Sequence, residues 1–375
     1  MIPGRPGRPR LAECQDVEGT DGGGTGIEVT GHAQRTAWGE RSVPGVERVR
    51  PGLWSVPVPM GGPLRWVNAY VLELAGGGLG LVDTGWDADD SWAALCAGLT
   101  ALGGDVSDVR GVLVTHLHLD HVGLAARVRA ASGAWVAMHP ADAAGIASFT
   151  SRRPEEMVET EVAFLVSLGA PPEDARADAG TAEERAGLLR VARPDRLLEH
   201  GDLADLPGWS LRAVHTPGHT EGHLCFADEA GGLFFSGDHV LPRISPNIST
   251  HAGGAADPLR DYLGALGAVA GQEAEEVLPG HEWRFRGMAA RAGELRAHHE
   301  HRLAELLAAV REHPGSTPWE LAAHLTWSRP WPQYERRMRI FAVTETDAHL
   351  RLLASRGLVT GDGAAVPIWT AAHLR

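Results

Sequence analysis

The chain has 375 residues, of which 43% are hydrophobic, so it can bury one large core and carry a smaller additional module. Its formal net charge is −14 and it contains no lysine, which disfavours nucleic acid as a partner because phosphate-binding surfaces need clustered cations. The apolar runs are too short to span a bilayer, and residues 1–44 lack the apolar stretch of a signal peptide, so we expect a soluble cytoplasmic protein. The widely spaced cysteines predict neither a disulfide framework nor a thiolate metal site: Cys14, Cys96 and Cys225.

The first half of the chain begins with a stretch of unusual composition. Residues 1–44 combine the sequences GRPGRPR and DGGGTG with no apolar periodicity, which predicts a flexible tail. Short apolar runs typical of strands then alternate with helix-like stretches. In chain order we predict strands at 53–58, 66–74 and 79–82, a helix at 90–102, a strand at 111–115, a helix at 122–131 and a strand at 135–139.

The second half continues this alternation and then changes in character. We predict two helices within 154–190, broken at 169–172, then strands at 211–215, 223–227 and 233–236, a helix at 258–270, a strand at 276–278 and a helix at 288–312. This long helix carries His298, His299 and His301, which we expect on a solvated face. After a His-Pro-Gly break, a further helix at 334–356 and a small wing predict a winged-helix-like module over 313–375, following a catalytic domain over 45–312.

The densest group of potential metal ligands lies in residues 115–121, with the sequence THLHLDH. In an extended segment, positions 116, 118 and 120 project to the same side, and a turn at residues 120–121 brings the last imidazole round. Four such donors within six residues rarely arise by chance. Imidazole and carboxylate donors suit zinc, and also iron or manganese. The sequence therefore predicts a metal site built from His116, His118, Asp120 and His121.

Three later predicted strands are each followed by another potential ligand. These ligands are His219 in TPGHT, Asp238 in FSGDH and His281 in LPGHE. Each follows a glycine, which lets the backbone turn sharply and approach a metal ion closely. All three could lie along one edge of a sheet sandwich, so the sequence favours a site with more than one metal ion.

Taken together, these motifs resemble the metallo-β-lactamase superfamily, and more specifically its glyoxalase II-like hydrolases. THLHLDH matches the metal signature of that family, and LVDTG, TPGHT, FSGDH and LPGHE follow in the family's order between residues 81 and 282. The resemblance covers about residues 45–312. It implies an α/β fold, the αββα sandwich, to which the winged-helix-like residues would form a C-terminal helical appendage.

The resemblance also implies a division of the ligands between two ions, which we expect to be zinc, with iron or manganese as alternatives. One ion would bind His116, His118 and His219, and the second Asp120, His121 and His281. Asp238 would bridge them. Asp83, in LVDTG, would orient a ligand imidazole, and His223 would pack behind the ligands.

Such a centre predicts hydrolysis without a serine or cysteine nucleophile. Two metal ions about 3.5–4 Å apart can share a water molecule and lower its pKa from about 15.7 towards 7. We therefore expect a metal-bound hydroxide as the nucleophile, and Asp120 as the catalytic residue that holds it and takes its proton.

The substrate is less sharply defined, because enzymes of this family act on thioesters, lactones, β-lactams and phosphodiesters. We favour a small-molecule thioester or related acyl ester, such as an acyl group on glutathione or a coenzyme A-like carrier. His239, Arg243 and Asn247 follow the bridging aspartate and are candidates for contacting it, although Arg243 could instead pair with a local acid. The alternatives are a lactonase or β-lactamase, an RNA-processing nuclease, an iron-dependent thiol oxidase, or a binding protein without activity.

Overall fold

A computed structural model describes residues 26–186, 190–334 and 336–372. Within these ranges the strands are β1 (Glu28–Val29), β2 (Glu47–Arg50), β3 (Leu53–Pro59), β4 (Trp66–Glu73), β5 (Leu79–Val82), β6 (Val109–Leu113), β7 (Trp135–Met138), β8 (Arg196–Leu197), β9 (Leu211–His215), β10 (Leu224–Asp228), β11 (Leu233–Gly237), β12 (Glu276–Pro279), β13 (Phe285–Arg286), β14 (Val359–Gly361) and β15 (Trp369–Ala371).

The helices connect these strands and form most of the C-terminal part. They are α1 (His32–Glu40), α2 (Asp89–Ala101), α3 (Leu119–Val122), α4 (Ala125–Ser132), α5 (Pro140–Ser151), α6 (Pro154–Ser167), α7 (Pro172–Ala179), α8 (Ala182–Ala186), α9 (Pro258–Val269), α10 (Met288–Glu312), α11 (Pro318–Ala322) and α12 (Arg337–Ser355). No described helix is both long and apolar enough to cross a membrane.

Two mixed sheets and one small hairpin organise the described strands. The first sheet has the order β2-β3-β4-β5-β6-β7-β8, antiparallel up to β5 and parallel from β5 to β8. The second has the order β1-β13-β12-β11-β10-β9, in which β11 and β12 are parallel. The hairpin joins β14 to β15.

The two sheets pack face to face, and helices cover both outer faces. Leu72, Leu113, Phe226 and Phe235 belong to the apolar cluster between the sheets. A second cluster joins the outer face of the first sheet to α2 and α4, and a third joins the outer face of the second sheet to α9, α10 and α12. Because strands inside such a sandwich are covered on both faces, they read as continuous apolar runs rather than alternating ones. The predicted αββα architecture is confirmed.

The C-terminal part has the predicted order of helices followed by a hairpin, but its apolar residues form no separate core. Leu350 and Leu353 of α12 belong to the same cluster as Leu295 of α10 and Phe234 of β11. The described residues after 313 therefore pack as part of the outer helical layer. An independent winged-helix-like module stays a prediction.

The N-terminal prediction is wrong in its extent, because residues 28–40 are part of the fold. Strand β1 pairs with β13, and α1 packs on the sandwich through a buried Gln34. The Gln34 amide donates to Ser55 Oγ and Asn68 Oδ1, and its oxygen accepts from the Arg284 backbone N–H. A polar contact of this kind leaves no apolar periodicity in the sequence. Residues 1–25 of the predicted tail lie outside the described residues.

Two further differences concern helices. The sequence does not predict α5, since its apolar residues form no stripe with helical spacing, although Pro140 occupies the first-turn position that favours a helix start. The stretch predicted as two helices contains α6, α7 and α8 among its described residues, and residues 187–189 lie outside them.

The expected solvated histidine face of α10 is also only partly correct. His301 is exposed, but His299 is buried, with its Nδ1 3.2 Å from His349 Nε2 of α12. The prediction is wrong for His299 because α12 covers that face of α10, a contact between segments 50 residues apart.

We expect Gln34→Ala to lower the free energy of unfolding by about 3 kcal/mol, because it leaves the buried Arg284 N–H without its acceptor and removes the hydrogen bonds to Ser55 Oγ and Asn68 Oδ1. Chemical denaturation measures this change. Thr36→Ala on the exposed face of α1 is the control and should stay near wild type. A Gln34→Ala protein as stable as that control would contradict the role of α1.

Candidate metal centre

The potential ligands come together because the strands that precede them end at one edge of the sandwich. His116 and His118 follow β6, and Asp120 and His121 lie in α3. The other three lie in the loops after β9, β11 and β12: His219, Asp238 and His281. Since β11 and β12 are parallel neighbours, their carboxyl ends meet at the same edge of the sheet. All seven predicted ligands are thus brought into one cluster.

The first group consists of three imidazoles. Ligand atoms of His116, His118 and His219 all lie within 4.8 Å of one another. His116 Nε2 is 3.0 Å from His118 Nδ1, and the ring centroids of His118 and His219 are 4.5 Å apart. This group could hold one metal ion.

The second group combines a carboxylate with two imidazoles. Asp120, His121 and His281 place their ligand atoms within the same 4.8 Å limit. His281 Nε2 is 3.3 Å from both Asp120 Oδ2 and His121 Nε2. The Asp120 side chain is 13% exposed, whereas both imidazoles are fully buried, so Asp120 faces the opening of the site.

Asp238 lies between the two groups. Its Oδ2 is 3.6 Å from His219 Nε2 and 3.5 Å from His281 Nε2, and its Oδ1 is 3.5 Å from His121 Nε2. One carboxylate therefore contacts an imidazole of the first group and two of the second.

The separations between the donor atoms match those expected around a bound metal ion. With metal–ligand distances of about 2.0–2.2 Å, donors around a tetrahedral ion lie about 3.3–3.6 Å apart, close to the separations in this cluster. Buried His219 Nε2 and Asp238 Oδ1 have no hydrogen-bond partner among the described residues, an arrangement that costs free energy unless a ligand satisfies them.

The electrostatics of the cluster also favour a bound metal ion. Burial and the neighbouring His219 lower the pKa of His118 to about 3, which keeps its ring neutral with a lone pair free. Burial opposes charge on His281, but Asp238 and Asp120 outweigh it and raise the pKa of His281 to about 10. The carboxylates thus attract positive charge to this position, and a divalent cation supplies that charge without a proton.

In three of the ligand imidazoles, those of His121, His281 and His219, the Nδ1 atom contacts a neighbouring oxygen. His121 Nδ1 lies 2.8 Å from Asp83 Oδ2, and Asp83 also accepts from the Thr115 hydroxyl and backbone N–H. The other contacts are His281 Nδ1 to Trp66 O at 3.0 Å and His219 Nδ1 to Asn247 O at 2.8 Å. Such partners fix the tautomer and aim Nε2 at the cluster.

His223 holds the Asp238 segment rather than the cluster itself. Its ring is fully buried, its Nε2 accepts from the Asp238 backbone N–H at 3.2 Å, and its Nδ1 lies 2.8 Å from Thr216 Oγ1.

The glycine before His281 has no space for a side chain. A Cβ on Gly280 would lie 2.7 Å from both Asp238 Oδ1 and His121 Cε1, so a side chain there would enter the ligand cluster.

Asp142 joins the two loops of the first group, and our sequence reasoning missed it. Its buried carboxylate accepts from Leu117 N at 2.8 Å, Thr220 Oγ1 at 2.9 Å and Gly222 N at 2.7 Å. Leu117 separates two ligands and Thr220 follows a third. The available signal was an aspartate two residues after Pro140, in the first turn of the unpredicted α5.

The three predicted substrate contacts lie in other surroundings. His239 is fully buried, with its ring 5.1 Å from that of Tyr262. Arg243 pairs with the buried Glu282 carboxylate at 2.8 Å, which is the alternative we considered for it. Asn247 donates from Nδ2 to Glu345 Oε2 of α12 at 3.0 Å. Contact of these residues with substrate therefore stays a prediction, and Arg243 and Asn247 already bind protein partners.

Comparison with known proteins identifies the family. The family model described as the metallo-beta-lactamase superfamily matches residues 63–281, which contain all seven clustered ligands. The chain belongs to the metallo-beta-lactamase superfamily. The resemblance inferred from the motifs is confirmed at that level, and membership supports an enzyme with a metal site.

Two solved structures share the fold over most of this chain. A metallo-beta-lactamase family protein from Thermus thermophilus is 33% identical, with a TM-score of 0.75 over 86% of this chain and 100% of its own. A beta-lactamase domain protein from Burkholderia ambifaria is 24% identical, with a TM-score of 0.76 over 96% and 98% of the two chains. The fold thus extends beyond residues 63–281.

Curated relatives match to different extents. A probable metallo-hydrolase of Bacillus subtilis (strain 168) is 24% identical over 80% of this chain and 91% of its own length. An atrochrysone carboxyl ACP thioesterase of Aspergillus chevalieri is 30% identical over 30% of this chain, which corresponds to 34% of its own length.

We expect Asp142→Asn to weaken metal binding about 10- to 100-fold, because an amide cannot accept all three hydrogen bonds that hold the two loops together. Competition with a chromogenic chelator measures the affinity. Asp105→Asn is the matched control, since its exposed carboxylate also accepts from a backbone N–H but lies in a separate turn. Equal metal affinities for both variants would refute the role of Asp142.

We expect stability to depend on the charge of Glu345. Burial raises the pKa of Glu345 from 4.5 to about 7, against the opposing effects of Arg302 and Asn247. The folded protein therefore retains a proton that the unfolded chain loses, and this contribution to stability disappears as the pH rises through about 7.

Glu345→Gln keeps an acceptor for Asn247 but does not titrate. Its free energy of unfolding relative to wild type should rise between about pH 5 and 8, by up to about 3 kcal/mol. Denaturant titrations across this range measure the change, with Glu312→Gln at the exposed end of α10 as the control for losing one charge. A difference that stays constant with pH would contradict the prediction.

Proposed function

We propose that this protein is a binuclear, zinc-dependent hydrolase that cleaves a thioester or related acyl ester. The observation that carries the proposal is the position of Asp238 between two groups of three potential ligands. A single ion would leave one of these groups, with its buried lone pairs, unsatisfied.

The ligand assignment follows the two groups. His116, His118 and His219 would hold one ion, Asp120, His121 and His281 the second, and Asp238 both. Nitrogen and oxygen donors in sets of three, with room for a further ligand, suit catalytic zinc more closely than calcium or magnesium. The described cysteines do not compete as ligands or nucleophiles, because burial raises the pKa of Cys225 to about 12 and also raises that of Cys96.

When bound, the two ions supply Lewis acidity, which activates water and polarises the substrate carbonyl. The chain's own residues supply position and proton transfer. Asp120 is the more exposed of the two clustered carboxylates, so it can reach a water molecule approaching the acyl carbon and accept its proton. The water oxygen would then bond to the acyl carbon, the acyl–sulfur bond would break, and the leaving thiolate would take up the proton that Asp120 had accepted. Asp83 keeps His121 oriented throughout.

Two considerations favour a thioester over the alternative substrates. The thioesterase from Aspergillus chevalieri resembles part of this chain at 30% identity, whereas the net charge of −14 disfavours a polyanionic substrate such as RNA. A panel comprising a thioester, a lactone, a β-lactam and a phosphodiester, assayed with zinc-loaded protein, tests the proposal. Highest kcat/KM on the thioester is expected, and turnover of only one of the other substrates would overturn the substrate assignment.

We expect metal-reconstituted protein to contain about two ions per chain and Asp238→Asn to contain about one, because the variant loses the shared charge between the groups. Its kcat/KM should fall by about 100-fold or more. Elemental analysis and kinetics measure both effects, with the exposed Asp202→Asn as the control. One ion in the wild type, or normal turnover by Asp238→Asn, would count against the binuclear assignment.

A further inference from the structure

The loops that carry Asp238 and His281 are joined by a buried ion pair. Glu282 directly follows His281, and Arg243 lies in the loop that follows Asp238. The Glu282 side chain is fully buried. Its Oε1 lies 2.9 Å from Arg243 Nε and 2.8 Å from Nη2, and its Oε2 accepts from the Arg243 backbone N–H at 3.1 Å. One carboxylate therefore binds both the side chain and the backbone of the neighbouring loop.

The backbone of Glu282 has a conformation that glutamate rarely adopts. Its φ is +66°, in the left-handed region where a side chain is strained and glycine is favoured. Local conformational preference therefore does not account for a glutamate at this position. Transfer of a carboxylate out of water is also unfavourable unless the carboxylate is paired. The contact with Arg243 offsets both effects, so we assign the role of Glu282 to this contact.

Both loops are also anchored to regular elements, so Glu282 joins two fixed segments. On one side, Arg291 of α10 donates from Nε to Leu241 O at 2.7 Å and from Nη2 to Arg243 O at 2.7 Å. On the other side, Asn68 of β4 donates from Nδ2 to Glu282 O at 3.3 Å. The ion pair therefore fixes the separation between the two ligand loops.

This arrangement parallels that of Asp142 in the first group of ligands. Asp142 accepts hydrogen bonds from the loop of His116 and His118 and from the loop of His219. Glu282 makes the equivalent connection between the other two ligand loops. Each buried carboxylate thus acts on a different pair of loops.

We propose that Glu282 is the positioning residue for the ion held by Asp120, His121 and His281, and that it sets the affinity for this ion separately from the affinity for the other. This inference rests on the proposed binuclear function and deepens it. Glu282 holds the backbones on either side so that His281 Nε2 lies 3.5 Å from Asp238 Oδ2. Because His281 belongs only to the second group, its displacement weakens that ion most.

Titration of the metal-depleted protein with cobalt(II), followed by visible absorption, tests this proposal without a substrate. Wild type should bind about two equivalents. Glu282→Gln keeps the size of the side chain and one acceptor oxygen but loses the charge that binds Arg243. Its affinity for the second ion should fall about tenfold, while its affinity for the first should change by less than about twofold. Arg243→Gln removes the other partner of the same contact and should give the same selective loss.

Proton NMR with one equivalent of cobalt(II) identifies the ion that each variant retains, since the paramagnetic ion shifts the N–H signals of the imidazoles bound to it. Glu282→Gln should retain the ion bound by three imidazoles, and Asp142→Asn the ion bound by two. Asp178→Asn is the matched control, because it disrupts another buried pair, with Arg339 of α12, and should match wild type.

The outcomes separate this inference from the proposed function. Wild-type affinity for both ions in Glu282→Gln, or equal weakening of both, would overturn the inference alone. Binding of one equivalent by wild type would overturn the binuclear assignment and this inference with it. Selective loss of the second ion, in protein that hydrolyses no thioester, would support the inference and overturn only the substrate. Should Glu282→Gln fail to fold, Arg243→Gln and the milder Arg243→Lys provide the same comparison, with a smaller loss expected for lysine.

Discussion

The structure depends on one electrostatic constraint: five imidazoles and two carboxylates must be held within a few ångströms of one another at a nearly buried position. Left alone, such a cluster would scatter, because the lone pairs of neutral imidazoles repel and buried carboxylates prefer solvent. Among the described residues, His219 Nε2 and Asp238 Oδ1 have no hydrogen-bond partner even in the folded chain. The unfavourable free energy of burying these groups together has to be offset by the rest of the fold and by a bound cation.

The fold meets this constraint through a layer of hydrogen bonds directly behind the ligands. Asp83 fixes His121, His223 fixes the Asp238 backbone, and Asp142 ties the His116–His118 loop to the His219 loop. Asp83 directly follows β5, His223 directly precedes β10 and Asp142 lies in α5. These elements are far apart in sequence, so the geometry of the centre reflects the packing of the whole sandwich. The positions of the ligand side chains are therefore set by rigid strand ends and not by the loops alone.

Helix α12 gives the C-terminal part a direct connection to the same centre. Glu345 bonds to Asn247, whose backbone carbonyl accepts from the ligand His219. One face of α12 thus supports a ligand loop. Because α12 also shares the apolar cluster of the second sheet, a shift of this helix would be transmitted to the ligand loop.

The sequence by itself determined the ligand types, their order and the class of fold. Compact motifs such as THLHLDH place several donors within a few residues, which predicts the ligands. Buried strands appear in the sequence as apolar runs, which predicts the class of fold. Tertiary structure alone decided which residues support them. Asp142 contacts partners 25 to 80 residues away, and Gln34 contacts partners 21 to 250 residues away. His299 contacts a partner 50 residues away. Such contacts leave no local pattern in the sequence. The same reason applies to Arg243, because only packing pairs it with Glu282, 39 residues away.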